Sequence, residues 1–339
     1  MGMEGCCNKV MEEEVLVKKI TELAAAIGEL PSLVPSPEVN ALFSELVVAC
    51  IPPSTVDVDL LGPEVQDMRA RLIRLCSDAE GHLEAHYSDL LATHDNPLDH
   101  LSSFPYFNNY IKLSQLEHSL LARHIPGPPP SRVAFLGSGP LPLSSLVLAA
   151  RHLPAACFDN YDISFDANER ARRLVRADAD AGARMAFVTA DVADVTEELA
   201  GYDVVFLAAL VGMAVEEKAA LVAHLGRHMA PGAALVVRSA HGARGFLYPV
   251  VDPEEIRRGG FEVLTVHHPQ DEVINSVIIA RKEAAPPALA ADADAPVNSG
   301  SLKAQCAVAV SRPCLGCTCE MEARAHQKMK EMAMEEMEA

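Results

Sequence analysis

The sequence predicts an α/β protein: an open, mainly parallel sheet covered by helices on both faces, preceded by an all-helical segment. Three observations carry that prediction. From Arg132 to Lys282, short apolar runs alternate with helix-like stretches, the pattern of strand–helix–strand units. Before Ile125, apolar residues recur at helical spacing instead. Between the two lies Pro126-Gly127-Pro128-Pro129-Pro130, which can be neither helix nor inner strand and marks a boundary. The expected domains are therefore residues 1–125, helical; 126–282, sheet and helices; and 283–339, a tail.

In chain order, Glu12–Ile27 carries Val15, Ile20, Leu23 and Ile27 on one stripe. Pro63 and Glu64 open a long helix with Val65, Met68, Leu72, Cys76, Ala79 and Leu83 along its apolar face. Pro97 follows a turn, and Leu113–His124 reads as a further helix. Strands are expected at Val133–Gly137, Ala156–Ile163, Met185–Ala190, Val204–Leu210, Ala234–Arg238, Phe261–His267 and Val273–Arg281. Helices fall between them at Leu143–His152, Asn168–Arg176, Glu216–Met229 and from Glu254 to Arg258. Seven strands that close on two consecutive ones fit the methyltransferase-like variant of the Rossmann-type fold. After Lys282 the chain turns to AAPPALAADADAPVNSG, with too few large apolar residues for a core, so disorder is expected there. A short Met-, Glu- and Lys-rich helix is expected over Glu320–Glu338.

Composition excludes several classes. Half of the 339 residues are hydrophobic, enough for a large core, and the formal net charge is -19. Such an acidic chain offers no general nucleic-acid surface, because neutralising phosphate needs clustered Lys and Arg. The longest apolar stretches, around Val204–Val215 and Leu143–Ala150, are too short or too interrupted for a transmembrane segment. The N-terminal MGMEGCCNKVMEEE is acidic where a secretion signal is basic and then apolar. Gly2 lacks the rest of a myristoylation signal, since Cys6 stands where Ser or Thr is wanted. Nine cysteines in such a chain predict free thiols in a reducing, cytoplasmic setting. Cys50, Cys76 and Cys157 read as small core residues.

The chemistry concentrates after the first strand, in Gly137-Ser138-Gly139-Pro140-Leu141-Pro142. Gly137 and Gly139 allow the backbone to approach a ligand closely. Pro142 stands where a dinucleotide fingerprint has Gly or Ala, and the turn has no Arg or Lys, so a diphosphate is disfavoured. Asp162 ends the second strand about 20 residues on, placed to accept from two ribose hydroxyls. Asp191, after the third strand, sits where such folds contact an adenine amino group. Met229-Ala-Pro-Gly-Ala-Ala-Leu-Val-Val-Arg238 then turns into a strand, as in S-adenosylmethionine enzymes. These landmarks in order predict a nucleoside site, and S-adenosylmethionine as the nucleoside. Its sulfonium activates three carbons, and a protein selects among them by which one it aligns with a nucleophile; the fold does not dictate that choice.

Three segments resemble one family. GSGPLPL at Gly137–Leu143, Phe104-Pro-Tyr-Phe-Asn-Asn-Tyr110 and Gly242-Ala-Arg-Gly-Phe-Leu-Tyr-Pro249 are similar to the matching parts of plant nicotianamine synthases, as is the Cys-rich end Cys314-Leu-Gly-Cys-Thr-Cys-Glu-Met-Glu322. The likeness runs from about Met11 to Lys282. It implies a transferase that joins three aminocarboxypropyl groups from three S-adenosylmethionine molecules into nicotianamine, a metal chelator, and so serves iron and wider metal homeostasis. It implies no cofactor beyond that substrate, no nucleic-acid partner and no particular oligomeric state. By resemblance the base is Glu84, with Tyr110 orienting the amine and Tyr106 as a further partner. An ammonium has no lone pair with which to attack carbon, so a base is required. Periodicity would not have chosen Glu84, which falls off the apolar stripe. Arg238 and Arg244 are candidate carboxylate clamps, because a guanidinium fork matches a carboxylate bidentately; Tyr248 is a third.

Two motifs point elsewhere. Cys314, Cys317 and Cys319 supply three soft ligands without a second pair at zinc-ribbon spacing, so a redox-sensitive tail is expected and not a metal site. Tyr87-Ser-Asp-Leu90 matches a sorting signal that would attach the chain to vesicles, but within a helix it reads as packing. The rival reading is a small-molecule methyltransferase of the same fold, which would release S-adenosylhomocysteine and not methylthioadenosine.

Overall fold

The structure, a computed structural model, describes residues 3–284. It opens with α1 (Met3–Gly28) and α2 (Pro37–Cys50), then the long α3 (Pro63–Leu91) and α4 (Phe107–His124). Proline at the first turn starts α2 and α3, where its missing N–H costs no helical bond. Ser36 caps α2 by accepting from the Val39 N–H at 3.2 Å. α2 was not foreseen, because its start follows a Pro- and Ser-rich stretch that reads as loop. The expected helix at Leu113–His124 begins six residues earlier, at Phe107, so the aromatic segment forms its first turn.

The sheet follows: β1 (Arg132–Leu136), β2 (Cys157–Asp162), β3 (Met185–Thr189), β4 (Val204–Leu207), β5 (Ala234–Ser239), β6 (Phe261–His267) and β7 (Ser276–Lys282). Their order among the described residues is β3-β2-β1-β4-β5-β7-β6. β1 to β5 pair in parallel, while β7 runs antiparallel to both β5 and β6. Strand order reverses between β1 and β4, and the crevice outside the carboxyl ends at such a switch is where ligands bind in open α/β sheets. The last predicted strand starts three residues late: Val273–Asn275 form an ordered loop ahead of β7.

Between strands lie α5 (Leu143–Val147), which ends in a π turn over Leu148–His152, then α6 (Phe165–Val175), α7 (Ala179–Arg184), α8 (Val215–His228) and α9 (Pro253–Arg258). Both faces of the sheet are covered, as the strand alternation predicts. Val133 and Phe135 join a core with Leu146, Leu148 and Leu121. Ala134 and Leu136 face the other way, into a core with Val222, Leu225 and Ile256, which is the period-two pleat at work.

The helical layer docks on this sheet through a third core, where Ile20, Leu46 and Leu72 meet Phe246 and Leu247. The described residues accordingly belong to one compact unit. Asp89, near the end of α3, binds Arg170 at 3.1 Å and Arg173 of α6. Within the Tyr87–Leu90 motif Ser88 is fully buried and Tyr87 half-buried, while Asp89 and Leu90 are exposed. The expected helix at 320–338 and the cysteines at 314, 317 and 319 lie outside the described residues.

Candidate active site

A cavity of about 620 Å³ lies between α3 and the carboxyl edge of the sheet. Gly137, Ser138, Gly139, Pro140, Asp162 and Asp191 all line it, so the fold brings the predicted nucleoside residues together. The turn after β1 is built around two left-handed glycines, Gly137 at φ 81° and Gly139 at φ 68°, where any side chain would be strained. The turn is fastened to β2: the Gly137 and Ser138 N–H groups donate to the Tyr161 carbonyl at 2.8 and 3.1 Å. Asp162 completes this, accepting from Gly139 N–H through Oδ2 and from Ser164 N–H through Oδ1, both at 2.9 Å. A carboxylate has about four acceptor positions, so each oxygen keeps capacity for a ligand hydroxyl. Asp191 uses Oδ1 to accept from Ala193 N–H at 2.9 Å, which sets the direction of its side chain.

Gly139 is also required from the other side. A Cβ placed there would lie 2.5 Å from Oε2 of Glu84. The catalytic carboxylate implied by the family resemblance thus rests directly against the glycine turn, although 55 residues separate the two in sequence. Glu84 is 8% exposed. Burial, and then the neighbouring Glu80, hold its carboxyl well above the usual range. Its position off the apolar stripe of α3 follows from this: that flank of the helix faces the cavity, not the core.

Tyr110 reaches in from the first turn of α4. Its hydroxyl lies 3.2 Å from Oε1 of Glu84 and 3.3 Å from Oε1 of Glu80, so one O–H bridges the two acids. Tyr248 donates to the second oxygen of Glu80 at 3.0 Å. Burial pushes both phenols well above their ordinary value, and the neighbouring carboxylates add to it, so both stay protonated and act as donors. In the chain Glu84–Tyr110–Glu80–Tyr248 hydroxyl groups supply the hydrogen bonds to both acids, and the nearby charge of Arg238 lowers the pKa of both carboxyls against the effect of burial.

Four of the predicted site residues are placed differently from expectation. Arg238 lines the cavity, but its fork is taken: Nε and Nη2 hold Glu117 at 2.7 and 3.0 Å, and Nη2 also donates to Ser144 at 2.7 Å. Its planar face lies over Phe135, 5.2 Å from the ring centroid. A buried guanidinium needs such a partner, and Glu117 takes the fork that a substrate carboxylate would need. Arg244 does not line the cavity. It donates to the carbonyls of Pro269, Val273, Ile51 and Asp271, fastening the helical layer to the loop before β7. Tyr248 does line the cavity, but its hydroxyl proton goes to Glu80 and not to a ligand carboxylate. Tyr106 stays outside the lining and packs beside Phe104, with ring centroids 6.0 Å apart.

Sequence reasoning missed Glu80, Glu117, Lys218 and Asn275. Glu80 had a signal: it stands four residues before Glu84, which places both acids on one helical face. Lys218 caps the wall after β4 by donating to the carbonyls of Ala208 at 3.3 Å, Ala209 at 3.0 Å and Val211; nothing local announces that.

Comparison with known proteins agrees with this picture. The family model described as "Nicotianamine synthase protein" matches residues 7–286. Nicotianamine synthase 9 of Hordeum vulgare is 86% identical over 341 residues, covering 100% of each chain. Nicotianamine synthase 3 of Oryza sativa subsp. indica is 74% identical over 333 residues, covering 96% of this chain and 94% of its own. A crystal structure of MtNAS in complex with MTA and tNA superposes with a TM-score of 0.64 at 22% identity, covering 78% of this chain and 96% of its own, a likeness of fold. With a family match across residues 7–286 and relatives this similar along their whole length, the chain belongs to the nicotianamine synthase family.

Proposed function

We propose that Glu84 is the base with which this chain converts three S-adenosylmethionine molecules into nicotianamine, three methylthioadenosines and three protons. The observation that carries the reading is the contact of a buried, proton-hungry carboxylate with the turn that cradles the nucleoside. In each transfer an acceptor ammonium loses a proton to Glu84. The freed lone pair attacks Cγ of the donor, the C–S bond breaks, and its electron pair leaves on sulfur as a neutral thioether. Burial serves both halves of this step. It raises the affinity of Glu84 for the proton it must take, and it keeps competing water from the sulfonium.

Gly137, Ser138, Gly139 and Pro140 cradle the donor, Asp162 accepts from its ribose hydroxyls, and Asp191 from its adenine amino group. Tyr110 orients Glu84. Tyr106 supports that helix turn from behind. The helical residues 1–125 cap the cleft, and residues 126–282 form the nucleoside-binding half. A cytoplasmic setting for the reaction is supported by the free thiols of Cys50 and Cys76 among the described residues. No helix among the described residues is long and apolar enough to cross a membrane.

Incubation of the purified chain with S-adenosylmethionine alone tests the reaction. Mass spectrometry should find methylthioadenosine and nicotianamine without any added acceptor, since the substrate is its own acceptor. S-adenosylhomocysteine in their place would make the chain a methyltransferase.

A further inference from the structure

Lys218, in the first turn of α8, is a buried cation that the reaction does not use. It is 5% exposed, and it has no carboxylate partner among the described residues. Burial alone lowers its pKa, to about 7, the mark of a charge held at a cost. Backbone offsets that cost. Nζ donates to the carbonyls of Ala209 at 3.0 Å, Ala208 at 3.3 Å and Val211. An ammonium has three protons, and all three are spent on one segment, the turn that follows β4.

That turn is a wall of the cavity. Every residue from Ala208 to Gly212 lines it, and none of them carries a polar side chain, so the segment cannot fix its own course by side-chain hydrogen bonds. It lies between two glycines. On the cavity side, a Cβ at Gly137 would collide with the Val211 side chain and meet Cβ of Ala208 at 3.3 Å, so the wall rests flush on the glycine turn. On the other side, Gly212 adopts φ 69°. A Cβ there would lie 2.8 Å from Cδ1 of Leu221 and 3.1 Å from the Lys218 backbone nitrogen, so the wall also rests flush on α8. Contact therefore runs from Lys218 through the wall to Gly137.

We infer that Lys218 is a positioning residue for the donor: its ammonium gathers three carbonyls, holds the wall against the glycine turn, and so sets the width of the nucleoside half of the cavity. This rests on the reading that the glycine turn cradles S-adenosylmethionine, and adds what holds that cradle in shape. Lys218 acts through the wall and not through its charge, since a cation repels a sulfonium. The two modes separate by ligand. Methylthioadenosine and S-adenosylmethionine share the nucleoside and differ in charge at sulfur. A loosened wall weakens both alike, whereas removal of a repelling charge would favour the cationic ligand alone.

The test uses Lys218→Met and Gly212→Ala in the full chain. Met occupies the place of the lysine stem and removes the three donors; Ala at 212 pushes the wall off α8 without touching a buried charge. Calorimetry should find the Kd of methylthioadenosine raised about tenfold or more in Lys218→Met, the scale of hydrogen bonds to a charged group. KM for S-adenosylmethionine should rise by a like factor, and kcat should fall far less than KM rises, the pattern of binding lost equally from ground and transition states. Gly212→Ala should weaken methylthioadenosine in the same way. Wild-type affinity for methylthioadenosine in Lys218→Met overturns the inference, whether or not S-adenosylmethionine binds more tightly. So does wild-type affinity in Gly212→Ala, which would remove the wall from nucleoside binding. A fall in kcat with Kd and KM unchanged also overturns it, by leaving Lys218 a purely structural part. If Lys218→Met does not fold, Lys218→Gln, which has two N–H donors and no charge, takes its place under the same criteria. A wild-type chain that does not bind methylthioadenosine defeats the underlying nucleoside reading instead, whatever the variants do.

Discussion

Glu84 concentrates the conflict between stability and chemistry in one side chain. Its carboxyl is raised from the ordinary 4.5 by burial first and by Glu80 second. In the proposed role of base it must be ionised, so kcat/KM should climb with pH along a limb that lies above 4.5. Stability should run the opposite way. The folded state holds a proton that the unfolded state releases, so the stabilisation is complete below about pH 4.5 and is lost as pH rises through the raised value. Glu84→Gln removes both effects. It should abolish nicotianamine formation, leave methylthioadenosine binding intact, and raise the melting midpoint near pH 7 by roughly 2–4 °C. Near-normal turnover in that variant would remove Glu84 from the chemistry. Asp162 poses a separate test: Asp162→Ala should weaken methylthioadenosine binding about tenfold or more, and calorimetry showing unchanged affinity would end its ribose role.

Among the elements, α3 and α4 are where the helical segment becomes part of an enzyme. α3 presents Glu80 and Glu84 one turn apart, and α4 presents Tyr110 to both. α4 is anchored in turn by Glu117, fully buried and paired with Arg238 of β5. Breaking such a pair strands a charge in the core. Arg238→Ala should therefore cost about 3–5 kcal/mol of folding free energy, measured by chemical denaturation. Replacing both partners by apolar residues of similar size should cost far less. If Arg238→Ala proved as stable as the parent and only raised KM, the guanidinium would be a substrate clamp after all. The helical stripes of α1, α3 and α8 were legible in the sequence because burial on one face repeats every turn. α2 and the first turn of α4 were not, since Pro, Ser and Asn at a helix start look locally like loop.

The molecule as a whole keeps its working parts within residues 77–275, all inside the compact unit that ends at Ala284. A chain ending at that residue should therefore retain nicotianamine formation within about twofold of the full chain, the scale of an ordinary surface change. Loss of activity on that truncation would give the cysteine-bearing tail a part in catalysis. Much of the design could be read from residue order. Strand–helix alternation follows from apolar periodicity, which is local, and the glycine turn with its later aspartates has a spacing that the parallel sheet imposes. The proposed base was available only through resemblance to a family, because a lone glutamate on a helix has the same local pattern whether it faces water or substrate. The roles of Arg238, Arg244 and Glu80 depend on contacts across roughly 25 to 195 positions of chain. Whether a guanidinium is free to grip a ligand is set by which acids and carbonyls the fold brings against it, and no neighbouring residue carries that information.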